Sequence, residues 1–129
     1  MSEAPRLPRI VIADDHPDVL DAFCRMLQRG CEIVATAPDG DAAVEAVTRL
    51  RPDVLIVDLM MPDMNGLEVC RRVKLAAPRT AVIIVTAFDD ADVAAVALQN
   101  GAAAYVPKQA AAGTLEQTIQ RIMRESRTH

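Results

Sequence analysis

Five runs of apolar residues recur along the chain, and three of them contain no alternating polar position. These three are Ile10–Ala13, Val54–Val57 and Ala81–Val85. Strands without polar alternation are buried on both faces, which is typical of a parallel sheet packed between helices. The run Cys31–Ala37 is more mixed, as an edge strand would be, and Ala103–Val106 completes the set. The pattern therefore predicts five strands in a helix-covered sheet.

Amphipathic segments fill the intervals between the apolar runs. The first begins at Pro17, which suits the first turn of a helix, and ends before Gly30. In the last segment Thr114 is followed three residues later by Gln117, which matches a capping box and predicts a helix start at Thr114. The fourth segment is rich in alanine, so its helix is expected to be weakly anchored and mobile. Helices are expected over residues 17–29, 39–50, 66–76, 89–99 and 114–124.

The alternation of strands and helices predicts an α/β fold of the flavodoxin-like kind. Each connection is long enough for a right-handed helical crossover, so the strands form a five-stranded, doubly wound parallel sheet in the order 2-1-3-4-5 with helices on both faces. One domain is expected over residues 9–125, after a flexible lead at 1–8 and before a tail or linker start at 126–129. The switch point, where ligands bind in such sheets, lies between strands one and three.

Composition narrows the class of protein. The net charge of -4 and the scatter of basic residues argue against a dedicated nucleic-acid surface. Cys24, Cys31 and Cys70 show no CxxC spacing, which argues against a disulfide framework or a zinc site and fits a reducing cytoplasm. No apolar run approaches the roughly 18 residues of a membrane span, and the first residues lack the apolar core of a secretory signal. A cytoplasmic protein without membrane contact is expected.

Charged and polar residues gather where the predicted strands end. Asp14 and Asp15 follow strand one, and Asp58 ends strand three, so three carboxylates share the switch point. Like charges at short distance oppose each other's ionisation, and a divalent cation removes that cost. An all-oxygen set suits Mg²⁺, or alternatively Mn²⁺. Thr86 and Lys108 follow strands four and five and are expected at the same edge.

This inventory fits phosphoryl transfer to a carboxylate. Asp58 would be the nucleophile, the metal and Lys108 would neutralise the phosphoryl oxygens, and Thr86 would donate a hydrogen bond. Each residue also has a plainer explanation. Asp14 and Asp15 could cap the first helix, Asp58 could be an ordinary loop acid, and Lys108 could be a solvated surface lysine. Thr86 could be a strand terminus, Tyr105 could be a packing residue, and His16 is expected at the surface near the pocket.

The residues at the strand ends resemble the receiver domain of bacterial two-component response regulators, in particular the subfamily that often carries a helix-turn-helix output domain. The resemblance covers residues 9 to about 125, and the motif blocks occur in order. They are Asp14-Asp15, Asp58 within Asp-Leu-Met-Met-Pro-Asp-Met-Asn-Gly, Thr86-Ala87, Tyr105 and Lys108.

The resemblance implies a metal-assisted phosphoacceptor. Asp58 would accept a phosphoryl group from the phosphohistidine of a sensor histidine kinase or phosphotransfer protein. Asp15, Asp58 and the backbone carbonyl of Met60 would hold Mg²⁺, and Asp14 would act through water. The protein would catalyse only its own Mg²⁺-dependent phosphorylation and dephosphorylation. Met60 and Phe88 cannot orient an attacking water, so the phosphorylated form is expected to be long-lived.

The resemblance also implies a conformational switch. Thr86, Ala87 and Lys108 would bind the phosphoryl group, and Thr86 and Tyr105 would form the switch pair. Their rearrangement would alter the surface made by helix four, strand five and helix five, and so control a partner or output domain. A homodimer is open through this surface or through helices one and five. DNA contact is expected only through an output domain outside this chain.

Three alternatives stay open from the residues alone. The first is a receiver-like interaction module that is never phosphorylated. The second is a phosphatase of the haloacid-dehalogenase type, although Met60 stands where that class has a second aspartate. The third is a nucleotide-binding module, although neither G-x-G-x-x-G nor G-x-x-x-x-G-K-[ST] occurs.

Overall fold

Strands and helices alternate along the whole of the computed structural model, which describes residues 6–127. The outer ends of the predicted lead and tail lie outside the described residues. The elements are β1 Arg9–Ala13, α1 Pro17–Leu27, β2 Glu32–Ala37, α2 Gly40–Leu50, β3 Val54–Asp58, α3 Gly66–Ala76, β4 Ala81–Thr86, α4 Ala91–Gln99, β5 Ala104–Pro107 and α5 Ala111–Arg127. None of the helices within residues 6–127 combines the length and apolar character that a membrane span requires.

The five strands form one parallel sheet in the order β2-β1-β3-β4-β5, which confirms the predicted topology. The register brings the carboxyl ends of the strands together. Ala13 lies beside Val57, and Asp58 lies beside Val85. Because β5 ends one residue before Lys108, that side chain reaches the same edge. The switch point therefore collects residues from β1, β3 and β5.

The core consists of two apolar clusters, one on each face of the sheet. Neighbouring residues of β3 belong to opposite clusters: Leu55 packs with the α2, α3 and α4 side, and Ile56 with the α1 and α5 side. Both side chains are fully buried, which explains why the strand shows no polar alternation. Burial of one such side chain stabilises the fold by about 1.5–3 kcal/mol.

Helices α2, α3 and α4 begin after Asp39, Asn65 and Asp90, whose side-chain oxygens accept hydrogen bonds from amides of the first turn. A cap of this kind contributes about 1 kcal/mol. Helix α5 differs from its prediction, because it begins at Ala111 and not at Thr114. The predicted capping box is therefore wrong.

The early start of α5 has a local cause. The chain leaves β5 through a short 3₁₀ turn, Lys108–Ala110, that runs directly into the helix. Two further alanines then continue the helical path, and alanine is the strongest helix former. Thr114 consequently lies inside the helix, where its carbonyl accepts a hydrogen bond from the Thr118 hydroxyl at 2.8 Å.

Candidate functional site

Asp58 ends the central strand β3 in a buried position, with 3% of its surface exposed. Its Oδ2 accepts a hydrogen bond from Lys108 Nζ at 2.8 Å, and its Oδ1 accepts one from the Met60 amide at 3.1 Å. Burial raises the pKa of Asp58, and these hydrogen bonds offset only part of that effect. The apolar strand therefore ends in a buried carboxylate that is hydrogen-bonded through both of its oxygens.

Asp14, just after β1, is fully buried beside Asp58. Burial acts to raise its pKa, but the hydrogen bond from the His16 amide and the interactions with Lys108 and the His16 ring outweigh burial and lower it. Oδ1 of Asp14 accepts the His16 amide at 2.9 Å. Oδ2 lies 3.1 Å from Lys108 Nζ, but that ion pair lacks hydrogen-bond geometry and the atom has no hydrogen-bond partner. This buried oxygen of Asp14 is therefore held by an ion pair alone.

Lys108 bridges the two buried acids and leaves the site with an excess of negative charge. Burial acts to lower the pKa of Lys108, but its interactions with Asp58 and Asp14 outweigh burial and raise it, so the group is an ammonium. Its ammonium pairs with Asp14 and Asp58, and Asp15 is a third carboxylate in the same cluster. If all three carboxylates are ionised, one ammonium cannot balance them, and a divalent cation would remove the excess of negative charge.

His16 adds an imidazole to the acidic cluster. Its Nδ1 lies 3.1 Å from Asp14 Oδ1 and 3.1 Å from Asp15 Oδ1. One ligand atom each from Asp14, Asp15, His16 and Asp58 fall within 4.8 Å of one another. The ring is exposed, as the sequence predicted, but its contact with both acids was not anticipated. The sequence feature that could have predicted this contact is the position of His16 directly after the acid pair and before Pro17.

The donor chemistry of this cluster fits a divalent metal. Carboxylate oxygens are the preferred ligands of Mg²⁺, which commonly uses one or two carboxylates together with phosphate oxygens. Oδ2 of buried Asp14 has an ion pair with Lys108 but accepts no hydrogen bond, so it can still accept one from a metal-bound water. The residues present are thus those a hard divalent cation needs.

Thr86 and Tyr105, the predicted switch pair, meet at the backbone of Phe88. The Thr86 hydroxyl is buried and accepts a hydrogen bond from the Phe88 amide at 3.1 Å. The Tyr105 hydroxyl donates to the Phe88 carbonyl at 2.8 Å. Ala87 lies exposed between Thr86 and Phe88. The described contacts of Thr86 therefore place its hydroxyl on Phe88 and not on Asp58.

Asp63 in the loop after β3 has a role that sequence reasoning missed. Its carboxylate accepts hydrogen bonds from the amides of Gly40 and Asp41, both at 2.8 Å, at the start of α2. These bonds, led by the one from Gly40, lower the pKa of Asp63. The same loop passes close to Asp58, because a Cβ on Gly66 would lie 2.8 Å from the Asp58 carbonyl oxygen. The loop is therefore held to α2 at Asp63, and its end at Gly66 packs closely against Asp58.

These features define a class of protein: a doubly wound α/β domain whose switch point holds buried carboxylates and a lysine. The model of the response regulator receiver domain family matches residues 10–120. The chain belongs to that family, which confirms the resemblance seen in the sequence.

Named relatives are regulators of the same kind. The chain is 42% identical over 105 residues to the oxygen regulatory protein NreC of Staphylococcus haemolyticus, covering 79% of this chain and 48% of that protein. It thus spans about half the length of the curated relatives it matches. The receiver domain of a putative response regulator NarL from Mycobacterium tuberculosis is 30% identical, with a TM-score of 0.83 over 97% of this chain and all of that one. A LuxR-family response regulator from Aurantimonas sp. SI85-9A1 is also 30% identical, with a TM-score of 0.88 over 93% and 87% of the two chains.

Proposed function

We propose that this receiver domain accepts a phosphoryl group on Asp58 from the phosphohistidine of a sensor histidine kinase or phosphotransfer protein. The observation that carries the proposal is the position of the Asp58 carboxylate. It lies buried at the switch point, 2.8 Å from Lys108 Nζ and beside Asp14. A carboxylate placed next to a fixed cation is suited to nucleophilic attack on phosphorus.

In the proposed step a carboxylate oxygen of Asp58 attacks the phosphorus of the phosphohistidine. The new O–P bond forms as the P–N bond breaks, and the electron pair of that bond returns to the donor imidazole. Lys108 would transfer its contact from the carboxylate to the phosphoryl oxygens and stabilise their charge. Ala87 and Thr86 would complete the phosphoryl-binding set through the loop after β4.

Asp15, Asp58 and the Met60 carbonyl would hold Mg²⁺ or Mn²⁺, with Asp14 acting through water. When bound, the ion supplies positive charge to the phosphoryl oxygens during transfer. The clustering of three carboxylates around a single lysine supports this assignment.

Phosphorylation would be transmitted through Phe88. If the Thr86 hydroxyl turns towards the phosphoryl group, it leaves the Phe88 amide. The carbonyl of the same residue accepts a hydrogen bond from the Tyr105 hydroxyl, so both switch residues are hydrogen-bonded to the Phe88 backbone. Tyr105 also lines a surface cavity of about 370 Å³ between α4, β5 and α5. A change at Tyr105 would therefore alter this surface.

The α4–β5–α5 surface is the proposed contact for a partner, an output domain or a second copy of the chain. A DNA-binding response regulator of the LuxR family from Staphylococcus aureus is 30% identical to this chain, with a TM-score of 0.83 over 90% and 98% of the two chains. It supports DNA control through an output domain outside residues 9–125, the proposed extent of the receiver. The cytoplasmic location expected from the cysteines stays a prediction.

Intact mass after incubation with Mg²⁺ and acetyl phosphate tests the phosphoacceptor. The wild type should gain one phosphoryl group, Asp58→Asn should gain none, and Glu45→Gln, an exposed acid on α2, should behave as the wild type. No gain in the wild type would contradict the proposal and favour the unphosphorylated interaction module. Continuous release of phosphate from many phosphate esters would favour the phosphatase alternative.

The same sample reports the lifetime of the phosphorylated form. Met60 and Phe88 are 62% and 63% exposed, and neither side chain can orient an attacking water. Slow loss of the phosphoryl group is therefore expected after the donor is removed, and a half-life of seconds would contradict this part of the proposal.

A further inference from the structure

His16 lies where a metal ion in the acidic cluster would be coordinated. Its Nδ1 lies 3.1 Å from one oxygen of Asp14 and 3.1 Å from one oxygen of Asp15. Its side chain is 64% exposed, so packing does not dictate this position. The ring nitrogen and the two carboxylates point to a common location.

The dimensions of the cluster suit a single ion. Two ligands on opposite sides of a small divalent cation lie about 4.2 Å apart, since each bond is about 2.1 Å. The four candidate ligand atoms of Asp14, Asp15, His16 and Asp58 lie within 4.8 Å of one another. A small inward adjustment would gather them. Oδ2 of Asp14, a fully buried residue, has an ion pair with Lys108 but no hydrogen-bond partner, so this oxygen can still take a further ligand.

We propose that His16 Nδ1 is an additional ligand that makes this pocket a mixed nitrogen and oxygen site for divalent transition ions such as Co²⁺ and Ni²⁺. The inference rests on the proposed function only in that both use the same pocket. Imidazole favours the later divalent transition metals, whereas Mg²⁺ prefers oxygen and would bind through the carboxylates. The chain would therefore bind such ions more tightly than Mg²⁺, in competition for Asp15 and Asp58.

Titration of the full chain with CoCl₂ and with MgCl₂ tests the proposal, by calorimetry and by visible absorption of bound Co²⁺. His16→Gln removes the imidazole and keeps a polar side chain of similar size. Loss of a direct ligand should cost at least as much as loss of a residue behind a ligand, so Co²⁺ affinity should fall about tenfold or more. The Co²⁺ absorption bands should shift at the same time, and Mg²⁺ affinity should change much less.

His129→Gln is the matched control, because the chain contains two histidines. It should leave Co²⁺ binding as in the wild type. The proposal is overturned if His16→Gln leaves the Co²⁺ affinity and absorption unchanged, or if only His129→Gln alters them.

The test is separable from the phosphoacceptor proposal. If the wild type accepts phosphate with Mg²⁺ but His16→Gln does not alter Co²⁺ binding, this inference fails and the proposed function stands. If the wild type accepts no phosphate but His16→Gln weakens Co²⁺ binding, the metal ligand is supported and the proposed function fails.

Discussion

The switch-point edge between β1 and β3 and the face formed by α4, β5 and α5 are built in opposite ways. At the edge, Asp14 and Asp58 are buried and held by Lys108. On the face, α4 buries only Ala97 among its described residues and leaves Leu98 53% exposed. A group that must bind and position phosphate benefits from rigid support, whereas a surface that changes shape needs a low cost of rearrangement. The proposed phosphoacceptor chemistry and its proposed readout thus occupy regions that differ in how deeply their side chains are buried.

The largest difference between the regions is expected in stability. Ile56→Ala in β3 removes a fully buried side chain beneath the pocket and should lower the free energy of unfolding by about 2–5 kcal/mol. Leu98→Ala in α4 removes an exposed side chain and should change it by about 0.5 kcal/mol or less. Urea unfolding of both variants measures the contrast. Equal losses would contradict the distinction between a rigid edge and a weakly anchored face.

The next effect concerns the charge at the edge. Lys108→Ala removes the ammonium that contacts Asp58 and should slow phosphoryl acceptance by about 100-fold or more, as loss of one charge-stabilising donor does in other active sites. Lys74→Ala is the matched control, because that ammonium donates to the Pro78 and Thr80 carbonyls. The rate of mass gain with acetyl phosphate measures both. An unchanged rate in Lys108→Ala would remove Lys108 from the proposed mechanism.

Sequence reasoning succeeded where a residue's position follows from strand order. The fold was predictable because β3 and β4 lack polar alternation, and Asp14, Asp58 and Lys108 converge because each lies at the carboxyl end of a strand. Sequence reasoning failed where a helix start or a side-chain contact depends on the path of the connecting segment. The capping signal at Thr114 was overridden by a helix that had already begun.

The Asp63 cap shows the same limit of local patterns. The Asp63 carboxylate lies 23 residues from the Gly40 amide and 22 residues from the Asp41 amide in sequence, and no local propensity relates them. His16 was placed correctly at the surface, but its contact with Asp14 depends on the turn after β1. The tertiary contacts of loop side chains are therefore the features that could not be predicted from the sequence.

Asp63 offers a smaller test, because its substitution weakens a contact of the loop after β3 and leaves Asp58 unchanged. Asp63→Asn weakens the carboxylate cap on Gly40 and Asp41, and the stability loss near neutral pH should be about 1 kcal/mol. The folded pKa of Asp63 is lowered, so its contribution is present above the unfolded pKa of about 3.9 and is lost as pH falls through the folded pKa.

The difference in urea midpoint between wild type and Asp63→Asn should therefore shrink in acid. Glu45→Gln on the same helix is the control, and its difference from the wild type should not follow this pH dependence. A gap for Asp63→Asn that stayed constant down to the acid limit of folding would show that ionisation of Asp63 does not support the cap.

Tyr105→Phe probes the connection between the two regions and should have the smallest energetic effect. The lost hydrogen bond to the Phe88 carbonyl is exposed, so the free energy of unfolding should fall by about 1 kcal/mol or less. Phosphoryl acceptance should persist, because Tyr105 contacts the Phe88 backbone and not Asp58. Hydrogen exchange should quicken in the loop at Phe88 and in α4, while β3 stays as protected as in the wild type. If exchange in α4 matches the wild type both before and after phosphorylation, Phe88 does not carry the signal from Thr86 to the α4–β5–α5 surface.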